Sequence, residues 1–214
     1  MTRRKFDPGL YLVTDRTLAG RRSVEEVVRD SVRGGVSMVQ LREKGLDTRE
    51  FVELARRLKT EFPDLPLIIN DRVDVARVAG ADGVHVGQRD MAWADARAVL
   101  GPDAIIGLSV ETIEQAAEAE ASDCDYYGVS PIFPTPTKTD VETSWGLDGL
   151  RALRRRSQKP LVAIGGIDAS NAAAVLAAGA DGLAVVSAIC AAAEPEAAAR
   201  ALRSIVDNVR RSRP

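Results

Sequence analysis

Eight short apolar runs alternate with amphipathic stretches along the 214 residues, and this alternation constrains the fold more than any other feature. The apolar runs predict strands at Gly9–Asp15, Ser37–Glu43, Pro66–Arg72, Gly83–Gln88, Ile105–Val110, Tyr126–Ile132, Leu161–Ile167 and Gly182–Ile189. The stretches between them predict helices at Val24–Val32, Asp47–Phe62, Asp74–Ala79, Met91–Leu100, Glu111–Ala121, Leu147–Arg156, Ala169–Ala178 and Glu196–Val209. Strands that are apolar throughout are typical of a parallel sheet covered on both faces. Eight such units without a linker predict an α/β fold with one domain over residues 1–214, a (β/α)8 TIM barrel; a doubly wound open sheet is the alternative.

A repeated tetrapeptide favours the closed form of the sheet. Gly-Ala-Asp-Gly occurs at Gly80–Gly83 and again at Gly179–Gly182, each time between a predicted helix and the strand that follows it. Turns that repeat in this way suit a symmetric barrel.

Composition and charge exclude several classes of protein. The net charge of −2 and an aromatic content of 4% indicate no affinity for nucleic acid. The longest apolar runs fall far short of the ~20 residues of a membrane helix, and the charged N-terminus has no apolar segment behind it, so we expect neither a membrane partner nor a signal peptide. Cys124 and Cys190 lie in apolar surroundings without paired spacing, which is typical of reduced thiols in a cytoplasmic protein.

Polar side chains at the end of the second predicted strand indicate a binding site. Gln40, Arg42 and Lys44 are spaced by two, so they point to the same side of the strand. The C-terminal ends of barrel strands form the mouth that carries reactive groups. An arginine and a lysine that converge there predict a site for a di- or polyphosphate. The alternative, a solvated face of an edge strand, fits less well with the apolar strands on either side.

Carboxylates follow the third and fourth strands. Asn70 and Asp71 end one strand and Asp90 comes shortly after the other, so all three lie at the same mouth as the cations. Mg²⁺ prefers oxygen ligands and often joins one or two carboxylates to a substrate phosphate, so Asp71 and Asp90 are candidate Mg²⁺ ligands. The alternatives are that Asp71 pairs with Arg42 or Arg72 and that Asp90 caps the next helix.

The remaining strand ends supply two further observations. His85, the only histidine, is interpreted as structural, because nothing in the sequence pairs with it as a catalytic triad. Gly165-Gly166 after the seventh strand and Ser187 at the end of the eighth predict a backbone site for a second phosphate, since barrels commonly bind phosphate there. The alternative is two ordinary tight turns.

The segment from Ser130 to Asp140 contains three prolines, three threonines and a lysine, which predicts a stiffened loop after the sixth strand. In an extended chain Thr135 and Thr137 point to one side and Lys138 to the other. The loop is therefore expected to close over the site, with the threonines on one phosphate and the lysine on the other.

Seven motifs occur in a characteristic order, and together they resemble the thiamine phosphate synthase family over almost the whole chain. The motifs are G-L-Y-L-V-T-D, V-Q-L-R-E-K, I-N-D-R, G-V-H-V-G-Q-R-D, P-I-F-P-T-P-T-K, A-I-G-G-I and V-S-A-I. The resemblance implies a (β/α)8 barrel with Mg²⁺ as cofactor. Its reaction would transfer hydroxymethylpyrimidine from its diphosphate to a thiazole phosphate, plain or carboxylated, giving thiamine phosphate and diphosphate.

The resemblance also implies a role for each candidate residue. The pyrimidine diphosphate would be held by Gln40, Arg42, Lys44, Asn70, Ser109 and Lys138, and the thiazole phosphate by Thr135, Thr137, Gly166, Val186 and Ser187. Mg²⁺ would be bound by Asp71 and Asp90. The catalytic residues would be Arg42, Lys44, Lys138 and Ser109, with the cations stabilising diphosphate as it leaves in a dissociative step.

Two alternatives share the barrel but differ in function. A thiazole tautomerase of the same superfamily needs no diphosphate site, and a non-catalytic phosphometabolite-binding barrel needs neither Lys138 nor the two aspartates. The intact motifs favour the synthase, whose partners would be small-molecule substrates. The sequence leaves open whether the chain forms a homo-oligomer.

Overall fold

Eight parallel strands form one closed barrel in the computed structural model, which describes residues 6–135 and 144–212. The strands follow chain order around the barrel, and β8 closes on β1. Their bounds are β1 Leu10–Val13, β2 Met38–Leu41, β3 Leu67–Asn70, β4 Gly83–Val86, β5 Ile105–Val110, β6 Tyr126–Val129, β7 Leu161–Ile164 and β8 Gly182–Val185. The predicted (β/α)8 barrel is confirmed, and the open sheet is excluded.

Ten helices surround the barrel in the part of the chain that the structure describes. They are α1 Arg16–Ala19, α2 Val24–Arg33, α3 Thr48–Glu61, α4 Val73–Ala79, α5 Trp93–Leu100, α6 Ile113–Ala119, α7 Gly146–Arg154, α8 Ala172–Ala177, α9 Ser187–Cys190 and α10 Pro195–Ser212. Eight of them correspond to predicted helices. The four-residue helices α1 and α9 were not predicted, because an apolar run as short as the one around Ile189 does not distinguish a strand from a helical turn.

Capping residues in the sequence determine where helices α2 and α3 begin. The hydroxyl of Ser23 accepts from the N–H of Glu26, whose carboxylate accepts in turn from the N–H of Ser23. Asp47 and Glu50 form the same reciprocal pair at the start of α3. Each capping box satisfies two N–H groups that a helix N-terminus otherwise leaves without partners.

Buried apolar side chains form two separate layers. The larger lies between the strands and the helices, where residues such as Leu12, Leu54 and Val206 are fully buried. The smaller fills the inside of the barrel and consists of Tyr11, Val13, Met38, Ile68, Ile105, Tyr126, Val162 and Ala184. The inner layer closes the barrel from below, so ligands reach only its mouth.

A repeated aspartate joins neighbouring strands at the opposite end of the barrel. Each of these aspartates precedes a strand, accepts a backbone N–H near the start of the strand before it, and pairs with a cation from a neighbouring helix, at 2.7 to 2.9 Å. The aspartates are Asp82, Asp125 and Asp181; the N–H donors are Leu67, Ile106 and Leu161; the cations are Lys59, Arg97 and Arg154. Two of the three belong to the repeated Gly-Ala-Asp-Gly, which explains that repeat physically.

Candidate active site

The C-terminal mouth of the barrel opens into a cavity of about 790 Å³. The sequence-predicted site residues that line it are Gln40, Arg42, Lys44, Asn70, Asp71, Asp90, Ser109, Thr135, Gly166, Val186 and Ser187. Thr137 and Lys138, the other two, lie outside the described residues. Residues from seven strand ends therefore meet at one site, as the strand-end rule predicts.

The cations lie on the loop that follows β2 and not on the strand itself. Strand β2 ends at Leu41, because the backbone N–H of Arg42 turns to the hydroxyl of Thr14 at 2.9 Å and leaves the strand ladder. The Arg42 guanidinium lies 3.4 Å from the Asp15 carboxylate, which also caps α1 through the N–H of Leu18. Asp15 therefore caps α1 and orients the Arg42 guanidinium.

The two candidate metal ligands are in direct contact. Asp71 and Asp90 share a hydrogen bond, and Asp71 adopts a left-handed backbone conformation with φ of 62°. The surrounding protein raises the pKa of Asp71 to about 6, mainly by desolvation and next by the Asp90 carboxylate, although the Asp71 side chain is exposed to the cavity. Two carboxylates held this close repel each other when both are ionised.

Neither of the alternatives for these aspartates is found. Helix α5 begins at Trp93 with Ala92 as its N-cap, so Asp90 does not cap it; Asp90 accepts instead from the N–H of Gly87 at 2.7 Å. Arg72 pairs with Asp74 at 2.6 Å. Arg42 bonds Asp15 and acts on Asp71 through its charge alone.

A continuous chain of hydrogen bonds crosses the floor of the cavity. Gln40 Nε2 donates to the Tyr11 hydroxyl at 2.9 Å, and that hydroxyl lies 3.0 Å from the Tyr126 hydroxyl. The Tyr126 hydroxyl lies 3.0 Å from His85 Nδ1, and His85 Nε2 lies 2.8 Å from Ser109 Oγ. Five side chains from five strands are thereby fixed to one another.

Two glycines make room for the imidazole in this chain. A Cβ at Gly107 would lie 2.2 Å from Cζ of Tyr126 and 2.4 Å from Nδ1 of His85, and one at Gly128 would lie 2.7 Å from Cε1 of His85. In strand register Gly107 stands between His85 on β4 and Tyr126 on β6. The absence of a side chain at Gly107 lets the two rings stack, with centroids 5.5 Å apart.

The other side of the cavity is formed by the ends of β7 and β8. Gly165 and Gly166 have φ of 104° and 65°, and a Cβ on Gly165 would lie 2.7 Å from Pro131. The loop after β6 crosses here, since Phe133 N–H donates to Gly165 O at 3.1 Å. This crossing brings Thr135 to the cavity wall. Ser187, predicted at the end of a strand, is the first residue of α9.

Sequence reasoning assigned no binding or catalytic role to several cavity residues, and four of them carry side chains that matter here. His85 was interpreted as structural, yet it lines the cavity; Tyr11, Tyr126 and Arg89 line it as well. Tyr11 and Tyr126 are 115 residues apart, so only the barrel brings their hydroxyls together. A signal existed in the glycines of β5 and β6, since isolated glycines inside a strand indicate a close approach.

The fold and the cavity define a class of protein: a (β/α)8 barrel whose mouth joins cations, a carboxylate pair and glycine turns, as enzymes of phosphorylated small molecules do. Among the described residues no group of three or more potential metal-ligating side chains occurs, and no helix there is long and apolar enough to span a membrane.

Comparisons with known proteins place the chain more narrowly. The family model described as "Thiamine monophosphate synthase" matches residues 10–189. The thiamine-phosphate synthase of Albidiferax ferrireducens is 56% identical over 202 residues, which cover 94% of this chain and 92% of that one. The thiamine-phosphate synthase of Leptospira biflexa is 53% identical over 202 residues, covering 92% and 96%. The solved thiamine phosphate pyrophosphorylase from Pyrococcus furiosus superposes with a TM-score of 0.85 at 40% identity, covering 95% and 97%.

The chain belongs to the thiamine monophosphate synthase family and is a transferase of thiamine biosynthesis. The resemblance predicted from the seven motifs is thereby confirmed.

Proposed function

We propose that the chain catalyses Mg²⁺-dependent transfer of hydroxymethylpyrimidine from its diphosphate to the nitrogen of a thiazole phosphate, with thiamine phosphate and diphosphate as products. One observation carries the proposal: Arg42 and Lys44 share a single cavity with the Asp71–Asp90 pair and with the glycine turn at Gly166. Its volume of about 790 Å³ lies within the range of small-molecule sites.

The donor set supports Mg²⁺ at the carboxylate pair. Desolvation and next the charge of Asp90 raise the pKa of Asp71, and a divalent cation at the two carboxylates would remove the repulsion between them. Mg²⁺ is commonly held by one or two carboxylates together with substrate phosphate and water, so two protein ligands suffice. Bound there, it would neutralise charge on the diphosphate.

The side chains of the mouth then act on the departing group. Arg42 and Lys44 lie on one loop, and Arg42 is oriented by Asp15 at 3.4 Å. Lys138, which lies outside the described residues, would add a third cation. Charge that develops on the leaving diphosphate is stabilised by these groups, so the methylene–oxygen bond breaks with the aminopyrimidine bearing the positive charge. The thiazole nitrogen then attacks, and no protein nucleophile is required.

The opposite wall is proposed to bind the thiazole phosphate. Gly166, Val186 and Ser187 line it, together with Thr135 from the crossing loop. Backbone N–H groups at glycine turns approach an oxyanion closely because no Cβ intervenes. Thr137 would complete this site. The cytoplasmic location and any self-association of the chain stay predictions.

The decisive experiment mixes both purified substrates with the protein, with Mg²⁺ and with excess EDTA, and follows thiamine phosphate and diphosphate together. The proposal requires equal amounts of the two products and their loss with EDTA. Release of diphosphate without thiamine phosphate, or no reaction in the presence of Mg²⁺, would contradict it. Conversion of thiazole phosphate alone would favour the tautomerase alternative.

A further inference from the structure

The Gln40 amide, whose Nε2 faces the Tyr11 hydroxyl, gives the hydrogen-bond chain on the cavity floor its direction. Burial raises the pKa values of Tyr11 and Tyr126 above the ordinary value, so both hydroxyls keep their single proton and each donates only one hydrogen bond. Gln40 Nε2 donates to Tyr11, which leaves the Tyr11 proton for Tyr126. The Tyr126 hydroxyl then donates its hydrogen bond to His85 Nδ1.

The same count of donors and acceptors determines the tautomer of His85 and the role of the Ser109 hydroxyl. With Nδ1 accepting from Tyr126, the neutral imidazole carries its proton on Nε2, and Nε2 lies 2.8 Å from Ser109 Oγ. Ser109 Oγ accepts the hydrogen bond that Nε2–H donates, so its own hydroxyl hydrogen remains for a ligand in the cavity. At the other end of the hydrogen-bond chain, Gln40 Nε2 donates to the Tyr11 hydroxyl, and Gln40 also lines the cavity.

Packing holds the plane of the His85 ring. Gly107 and Gly128 both flank the ring closely. A Cβ added at Gly107 would lie 2.4 Å from a ring atom of His85, and one added at Gly128 would lie 2.7 Å from another. The ring also stacks on Tyr126 at an interplanar angle of 28°. A ring held in this plane keeps one nitrogen at Tyr126 and the other at Ser109, and the hydrogen bond donated by Tyr126 then selects the Nε2–H tautomer.

We propose that the polarised chain from Gln40 through Tyr11, Tyr126 and His85 makes the Ser109 hydroxyl a hydrogen-bond donor, aimed at an acceptor nitrogen of a heteroaromatic substrate. The identity of this ligand rests on the proposed function: the acceptor is a ring nitrogen of the aminopyrimidine. Tyr11, Tyr126 and His85 are positioning residues, because they act through Ser109. A ring with N–H in place of the acceptor nitrogen is rejected, since two donors then face each other.

The first test needs neither substrate nor variant. His85 is the only histidine of the chain, so protein labelled with ¹⁵N-histidine and prepared without a polyhistidine tag gives one imidazole spectrum. Two-bond ¹H–¹⁵N correlation at neutral pH is expected to show protonated Nε2 and unprotonated Nδ1. The Nδ1–H tautomer, an equal mixture of tautomers or a doubly protonated ring would overturn the proposal.

The second test interrupts the chain at Tyr126. In Tyr126→Phe the donor to Nδ1 is gone, so the tautomer is expected to become mixed and kcat/KM for the pyrimidine diphosphate to fall about tenfold, the effect of one lost hydrogen bond. The KM for the thiazole phosphate is expected to stay unchanged. Tyr11→Phe, one link further away, gives an independent break if the first variant does not fold.

Tyr127→Phe is the matched control. Tyr127 is the next residue and is equally buried, but its hydroxyl faces the helices and bonds Ala116 and Glu120 at 3.4 and 3.3 Å. Its removal is expected to leave the tautomer and both KM values unchanged. A change of tautomer in this control would also refute the specific role of Tyr126.

The two proposals fail in different ways. Absence of thiamine phosphate together with the Nε2–H tautomer would remove the proposed function and keep the polarised chain. Normal synthesis of thiamine phosphate together with the Nδ1–H tautomer would support the proposed function and refute the polarised chain.

Discussion

Replacing Asp71 by asparagine separates the energetic penalty of the carboxylate pair from its use in binding Mg²⁺. The folded-state pKa of Asp71 is raised from 3.8 to about 6, so the folded protein binds this proton more tightly than the unfolded chain does. Its contribution to stability is therefore fully present below pH 4 and is lost as the pH rises from about 4 to about 6. At neutral pH the ionised side chain destabilises the fold.

The size of the effect follows from the shift and from exposure. At about 1.4 kcal/mol per unit, the full shift corresponds to about 3 kcal/mol. Because Asp71 is exposed to the cavity, solvent screens much of this, and we expect Asp71→Asn to stabilise the protein by about 1 kcal/mol at pH 7.5. For a chain of this length that raises the Tm by about 2–4 °C.

The assay is thermal unfolding of both proteins in EDTA and in Mg²⁺, at pH 7.5 and at pH 4. In EDTA the variant is expected to unfold at the higher temperature at pH 7.5, and the difference is expected to vanish at pH 4. Mg²⁺ is expected to raise the Tm of the unmodified protein at pH 7.5 and not that of the variant, since a ligand of the native state stabilises it by mass action.

Asp74→Asn is a control of opposite sign. The pKa of Asp74 is lowered, first by its hydrogen bond from Arg72, so removal of this charge destabilises the fold slightly. A variant at Asp71 that is less stable than the unmodified protein in EDTA at pH 7.5, or that keeps the full Mg²⁺ effect, would refute the reasoning about the pair.

Three further predictions concern other parts of the chain. Asp125→Ala leaves the Ile106 N–H without its acceptor and removes one of the two carboxylates that pair with Arg97, so it is expected to lower the free energy of unfolding by roughly 2 kcal/mol in urea titrations. Asp148→Ala, at a side chain that is 97% exposed, is expected to change it by less than about 0.5 kcal/mol. Gly107→Ala would place a Cβ 2.2 Å from Tyr126, so activity is expected to fall at least tenfold in a protein whose circular dichroism shows it still folded. Lys138→Ala is expected to lower kcat by two orders of magnitude or more, and near-normal turnover would remove Lys138 from the leaving-group site.

The barrel and the side of it that carries the site were predictable from sequence, because both follow from local patterns. Strands that are apolar throughout imply a covered parallel sheet, and the ends of parallel strands meet at one mouth. This placed Arg42, Asp71 and Asp90 together although they lie on three different loops. The exact ends of strands were less predictable. The alternation Gln40, Arg42, Lys44 continues past Leu41, where the ladder stops because the Arg42 N–H bonds the hydroxyl of Thr14.

His85 shows why the rest of the site could not be read from sequence. Its hydrogen-bond partners Ser109 and Tyr126 are 24 and 41 residues away in sequence, on β5 and β6. Neither belongs to a sequence motif that includes a histidine. What joins them is strand register, which sets His85 opposite Gly107 and Gly107 opposite Tyr126. Register depends on the closure of the whole barrel, so it is a property of the fold and not of any segment. A lone histidine is therefore judged best by the glycines on its neighbouring strands, since these reserve the space that a functional ring needs.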